Sequence, residues 1–363
     1  MIKKRGMLPD KAIWGLLESG KILTEIPLEP NQVQPASLDL RLSSKAYRIR
    51  ASFLPGSHTV YEKLDLFKLH EIDLSYGAVL ETNCIYIIPL IESLRLGSEI
   101  SASINPKSST GRLDIFTRVI SDRSQEFDRI PAGYHGPLYL EISPRTFPVI
   151  VRFGSRLSQI RFHQDHRILD KDELLKLQAD EVLVESTNVN ISEGGIALSI
   201  DLEGHNKERH VGYRGKHHTE VIDVDLKESY RIQDFWDPLY VHPRGELILD
   251  PDEFYILVSR EAVRIPPFYA AEMKPYDPLM GEFRIHYAGF LDPGFGYSLT
   301  ERVSSRVVLE MRSHQVPFIL EHGQIVGRLI YEAMLESPQH LYGVSSGSYY
   351  QSQKLKLSKH FKD

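Results

Sequence analysis

Leu138-Tyr139-Leu140-Glu141-Ile142 is a short apolar and aromatic run of strand length, and 169 positions later Leu140 and Glu141 return as Leu309 and Glu310, within Arg306-Val307-Val308-Leu309-Glu310. The same offset carries Leu80, Tyr86, Ile87, Glu92, Arg95 and Pro106 onto Leu249, Tyr255, Ile256, Glu261, Arg264 and Pro275, and Pro148 and Gly154 onto Pro317 and Gly323. So long a period points to two copies of one domain rather than a solenoid. Ser37-Leu38-Asp39-Leu40 matches Ser199-Ile200-Asp201-Leu202 at a slightly different offset, so loops between the anchors have changed length. Cys84-Ile85-Tyr86-Ile87-Ile88 and Phe254-Tyr255-Ile256-Leu257-Val258 are further buried-strand candidates. With 18 Tyr and 15 Phe spread between Pro, Gly and Asp/Asn breaks, the chain reads as all-β with a few short helices. The expected organisation is two tandem domains, residues 1–178 and 179–363, joined in the polar stretch Asp165 to Glu185.

A length of 363 residues gives each half enough chain to bury its own core. The net charge of -6 argues against a mainly electrostatic grip on nucleic acid, while leaving room for a local basic pocket. No apolar run approaches a membrane span, and Leu8-Pro9-Asp10 interrupts what Lys3, Lys4 and Arg5 could begin as a signal peptide. Cys84 is the single cysteine, which suits a reducing cytoplasm. Apolar spacing at Ala12, Ile13, Leu16 and Leu17 predicts a helix from Asp10 to Ser19 with Asp10 as N-cap, and Asp170 to Gln178 predicts a second.

Pro106-Lys107-Ser108-Ser109-Thr110-Gly111-Arg112 concentrates hydroxyls, a lysine, a glycine and an arginine in one turn. Gly111 permits close backbone approach, the hydroxyls donate to phosphate oxygens, and Lys107 and Arg112 supply point and forked positive charge. An ordinary solvated loop has a similar composition, so these residues gain weight only from company.

That company is a family resemblance. Lys107-Ser108-Ser109-Thr110-Gly111-Arg112, Ala288-Gly289-Phe290-Leu291-Asp292-Pro293-Gly294-Phe295 and Val308-Leu309-Glu310 resemble the three core motifs of the dCTP deaminases, relatives of the trimeric dUTPases. Leu8 to Ile13, Pro35 to Leu42, Val316-Pro317-Phe318 and His322 to Gly327 are similar to further family segments. The resemblance implies two fused dUTPase-like distorted β-barrel or jelly-roll domains. In the family the site lies between subunits, and here the halves have decayed in complementary ways. Tyr276, Asp277, Pro278 and Gly281 replace the Ser/Arg motif in the second half, while Asp128-Arg129-Ile130-Pro131-Ala132-Gly133 replaces the hairpin in the first. A composite site is therefore expected, with Ser108 and Arg112 from the first half and Asp292 and Glu310 from the second.

The resemblance implies hydrolytic deamination of dCTP to dUTP and ammonia, toward dUMP and dTTP synthesis. Glu310 would shuttle the proton in a pocket dry enough to raise its pKa, in preference to its repeat mate Glu141. Ser108 and Arg112 would hold the water and developing charge, and Lys107, Ser109, Thr110 and Gly111 the phosphates. Asp292 would accept from the deoxyribose 3′-hydroxyl, and Ala288, Val308 and Leu309 would complete the nucleoside contacts. Tyr342, Tyr350 and Gln353 look like the family's tail, with Ser345 to Tyr350 free to order over the triphosphate on binding. A thiolate zinc site of the kind other deaminases use has no cysteine pair here, and His218-Thr219-Glu220 reads as solvated surface. The metal expected is Mg²⁺ carried by the triphosphate. Expected too are a homo-oligomer or pseudo-trimeric assembly of domains, with dTTP as an inhibitor as in some relatives. Cleavage of dUTP to dUMP, alone or after deamination, and an inert nucleotide-binding regulator are the competing readings.

Overall fold

The repeated runs are strands, and they pair in one register. In a computed structural model describing residues 5–186, 189–204, 209–242, 244–275, 283–286, 289–298, 303–313, 315–343 and 350–362, the strand His135–Pro144 lies antiparallel to Ile85–Arg95 with Glu141 opposite Ile87. The strand Ser305–Ser313 lies antiparallel to Tyr255–Val263 with Glu310 opposite Ile256, the same pair displaced by the repeat. Even a side-chain detail recurs, since Glu81 N donates to Tyr86 Oη at 3.1 Å and Asp250 N to Tyr255 Oη at 2.8 Å. The repeat thus encodes strand pairing, which depends on apolar residues at fixed positions rather than on loop length.

Each half is built on sheets packed over its own core. In the first, a six-stranded sheet centred on Ile85–Arg95 and His135–Pro144 faces a five-stranded one centred on Arg156–Gln164 and Ser101–Pro106. The second half has two five-stranded sheets, one holding Tyr255–Val263 and Ser305–Ser313, the other Tyr269–Pro275 and Ile325–Ala333. The architecture is all-β with short helices, as expected.

The halves are also knitted together. Ile222–Asp223, from the second half, runs parallel to Val149–Val151, and Val224, Phe235, Trp236, Leu357 and Phe361 enter the first core. Trp236, fully buried, packs its ring 5.2 Å from that of Phe147. The expected division at 178/179 falls inside the helix Lys171–Glu181, whose Leu174 and Leu177 belong to the second core.

That helix starts as its sequence predicts, with Asp170 as N-cap and a reciprocal capping box to Glu173. The first helix, Asp10–Glu18, corrects the expectation at its start. Pro9 is the N-cap, and the buried Asp10 carboxylate instead accepts from Gln339 N at 2.9 Å and His340 N at 3.0 Å, tethering the late chain to the first half. A third helix, Val60–Phe67, is capped by Thr59 and Glu62.

Candidate active site

One cavity of about 390 Å³ lies between the halves and collects residues from both. After the strand Ser101–Pro106 the chain makes a single helical turn, Ser108–Gly111, held by Thr110 N donating to Lys107 O at 2.8 Å. The turn places Lys107, Ser108, Ser109 and Arg112 on the cavity wall. Thr110 and Gly111 do not line it, because Thr110 faces inward and donates its hydroxyl to Leu157 O at 2.8 Å.

Arg112 links the two halves. It is 3% exposed, its Nη1 donates to Lys356 O and its Nη2 to Gln353 Oε1, both at 2.9 Å. The Tyr350 ring lies against it, 3.9 Å from Cζ to centroid. Its Nε has no hydrogen-bond partner among the described residues and stands 3.9 Å from Glu310 Oε1. That gap is too long for a hydrogen bond and suits one interposed small polar group.

Glu310 reaches the cavity from the middle of Ser305–Ser313 and is 5% exposed. Burial pushes its carboxyl up to about 8, with the Arg112 guanidinium pulling the other way. Such a group exchanges a proton readily near neutral pH. Its repeat mate Glu141, also buried, is outside the cavity and is gripped by Arg118 at 2.6 Å.

The hairpin that follows Phe290–Leu291 brings Asp292 to the wall, where Arg161 from the first half holds its Oδ1 at 2.6 Å. Arg161 is wholly buried, lies over the Phe290 ring and donates to Ala271 O at 3.0 Å. Gly294, at φ +98°, lets the tail come close, since a Cβ there would sit 2.7 Å from Tyr342 N. Tyr342 N accordingly donates to Pro293 O at 2.9 Å, and Tyr342 joins the lining with Val308, whereas Leu309 points into the second core. Ala288, the replaced Ser/Arg positions Tyr276 to Gly281 and most of the expected lid run lie outside the described residues. The tail beyond it is seated on the first half. Ser358 Oγ donates to Ser109 O at 2.8 Å, and Leu357 and Phe361 are buried in the first core.

Sequence reasoning missed the cationic end of the cavity, lined by Arg156, Lys227 and Lys359 beside Lys107. Burial lowers Lys359 to about 8, helped by Lys107 and Lys227. Asp39 counters them, paired with Lys107 and 3.7 Å from Arg156, and its Oδ1 has no partner among the described residues. Nothing in the local sequence marks these side chains, which converge from segments far apart. A pocket with clustered cations at one end and a dry carboxylate at the other suits a small polyanion carrying a neutral reactive ring.

The family model for the 2′-deoxycytidine 5′-triphosphate deaminase N-terminal domain matches residues 4–166, and that for the C-terminal domain matches residues 170–361. A crystal structure of 2′-deoxycytidine 5′-triphosphate deaminase from Agrobacterium tumefaciens is 64% identical, with a TM-score of 0.91 over 95% of this chain and 100% of that one. A dUMP-forming dCTP deaminase of Tropheryma whipplei is 30% identical over 166 residues, 44% of this chain and 78% of its own length. One from Methanoculleus marisnigri is 29% identical over 164 residues, 44% of this chain and 82% of its own length. The chain belongs to the dCTP deaminase family.

Proposed function

We propose that this enzyme hydrolyses the C4 amino group of dCTP without zinc, at a site completed within one chain, and releases dUTP and ammonia. The observation that carries the reading is Glu310, a carboxyl raised to about 8 facing an unpartnered Arg112 Nε from the other half. Water bound between them would give its proton to ionised Glu310 and add to C4. Glu310 would then pass that proton to ring N3, take a second from the new C4 hydroxyl and deliver it to the amine, which leaves as ammonia, while Arg112 and Ser108 stabilise the developing charge. Asp292, oriented by Arg161, would take the 3′-hydroxyl, and Tyr342, Tyr350 and Gln353 would close the pocket. Lys107, Lys227, Lys359 and Arg156 would hold the triphosphate. Magnesium carried by that triphosphate fits here, since the orphaned Oδ1 of Asp39 can accept from a water of its shell, and its role would be charge neutralisation.

The dUMP-forming relatives favour a second reading, in which the same pocket also cleaves dUTP. Against it, the other lining carboxylates are engaged by cations: Asp39 by Lys107, Asp225 by Arg152 and Asp292 by Arg161. Among the described lining carboxylates Glu310 alone has no cation within hydrogen-bond distance. Incubation with dCTP and Mg²⁺, with ion-exchange separation of products, tests the choice. Accumulating dUTP supports deamination alone, dUMP with pyrophosphate shows the bifunctional reaction, and bound but unchanged nucleotide would leave a regulator.

A further inference from the structure

A second constellation lies away from Glu310, where the halves meet on another face. His163, at the end of Arg156–Gln164, and His166 just beyond it converge on Glu332 of the strand Ile325–Ala333. Glu332 Oε1 is 2.9 Å from His163 Nδ1 and 3.1 Å from His166 Nδ1, and one ligand atom from each residue falls within 4.8 Å of the others. His163 and Glu332 are repeat mates, separated by the same 169 positions as Glu141 and Glu310. Equivalent residues in contact must lie close to the axis relating the two halves, so the site sits where the repeat meets itself. The backbones are fixed there by a bridge between Ile168 and Glu332 and another between Met7 and Met334.

We propose that His163, His166 and Glu332 form a site for a divalent transition metal of the zinc class, a structural clasp between the halves. Two imidazoles and a carboxylate are a zinc-type donor set, and bond lengths of about 2.0–2.2 Å put tetrahedral ligands roughly 3.3 Å apart. The two Nδ1 to Oε1 separations need to open by only a few tenths of an ångström. A small cavity of about 40 Å³ adjoins the cluster, enough for a water in the fourth position, and His166, with 42% of its side chain exposed, opens a route for the ion. The outer shell is in place, because Ser103 Oγ lies 2.9 Å from His163 Nε2. Without metal, the carboxylate accepts from both Nδ1–H groups and Ser103 donates to His163 Nε2. Metal entry moves each ring proton to Nε2, so that His163 then donates to Ser103 and neither ring loses a proton overall. Arg129, Arg161 and Lys274 line the same cavity and oppose a cation, whereas Glu272 favours one.

The test is to strip the full-length protein with chelator and titrate it with Zn²⁺ alone, following bound metal by mass spectrometry and the thermal midpoint. We expect one equivalent bound and a raised midpoint. Affinity should fall by at least about tenfold in His166→Ala, which alters an exposed side chain, and in Glu332→Gln, which keeps an oxygen to accept from both rings. Substituted Co²⁺ should show the strong visible bands of a four-coordinate site in the wild type and not in these variants. Absence of stoichiometric zinc binding, or binding and midpoint shifts unchanged in both variants, would overturn the proposal.

Discussion

Glu141 and Glu310 occupy the same place in two copies of one strand pairing, opposite Ile87 and Ile256, and both are buried. They differ in what approaches them. Glu141 is closed by Arg118 of its own half at 2.6 Å, and that guanidinium also lies over the Phe127 ring. Glu310 meets Arg112 of the other half at 3.9 Å across a cavity, with no bond made. Duplication therefore supplied two equivalent carboxylates, and under the proposed mechanism the cross-half partner separates a structural ion pair from a proton-transfer site. A buried carboxylate bonded through Oε1 to a local arginine makes a structural ion pair, while one left short of its partner keeps room for chemistry.

The sharpest way to break this contrast is to exchange its arginines for alanine. Arg112→Ala should lower kcat/KM by about 10³-fold, since it removes a charge beside the reacting centre and the tail's anchor. Arg118→Ala should leave kcat nearly intact and cost stability, about 2 kcal/mol by denaturant titration, the pair being partly exposed. Next comes pH. Glu310 must be ionised to take the proton from water, so kcat/KM should fall about tenfold per unit below its pKa of about 8. Stability should run the other way. The folded-state pKa lies above the ordinary 4.5, so this group's contribution is complete below about 4.5 and lost as pH rises through about 8. The loss should vanish in Glu310→Gln when unfolding free energies are compared across that range.

Arg161→Met should destabilise the fold by roughly 3–5 kcal/mol by leaving Asp292 buried and unpaired, and should raise KM. Gln353→Ala frees one end of the tail, and a rise in KM of about tenfold is expected from steady-state kinetics. At the smallest end, His218→Ala should change kcat/KM by less than about twofold, because this exposed residue lies outside the cavity.

Much of this was legible because strand pairing leaves a linear trace. The matched runs at Leu140 and Leu309 became equivalent strands, and complementary loss of motifs pointed to the cavity that both halves line. The capping signature Thr59-Val60-Tyr61-Glu62 is equally legible in the sequence, although the helix it starts is not among the expectations above. Asp10 was misread as a cap because its partners, Gln339 and His340, lie at the far end of the chain. Arg161, Arg156, Lys227 and Lys359 left no trace, since their significance arises from convergence across the interface. Lys359 follows Lys354-Leu355-Lys356-Leu357-Ser358, an alternation that local pattern does not separate from a loose terminus.

Under the proposed mechanism Glu310, and not its structural twin, carries the proton. Steady-state turnover of dCTP by Glu310→Gln and Glu141→Gln, both shown folded by thermal melting, tests it most directly. We expect kcat to fall by about 10²–10⁴-fold in Glu310→Gln and to stay within about twofold of wild type in Glu141→Gln. Full activity in Glu310→Gln, or its loss in a folded Glu141→Gln, would contradict the account.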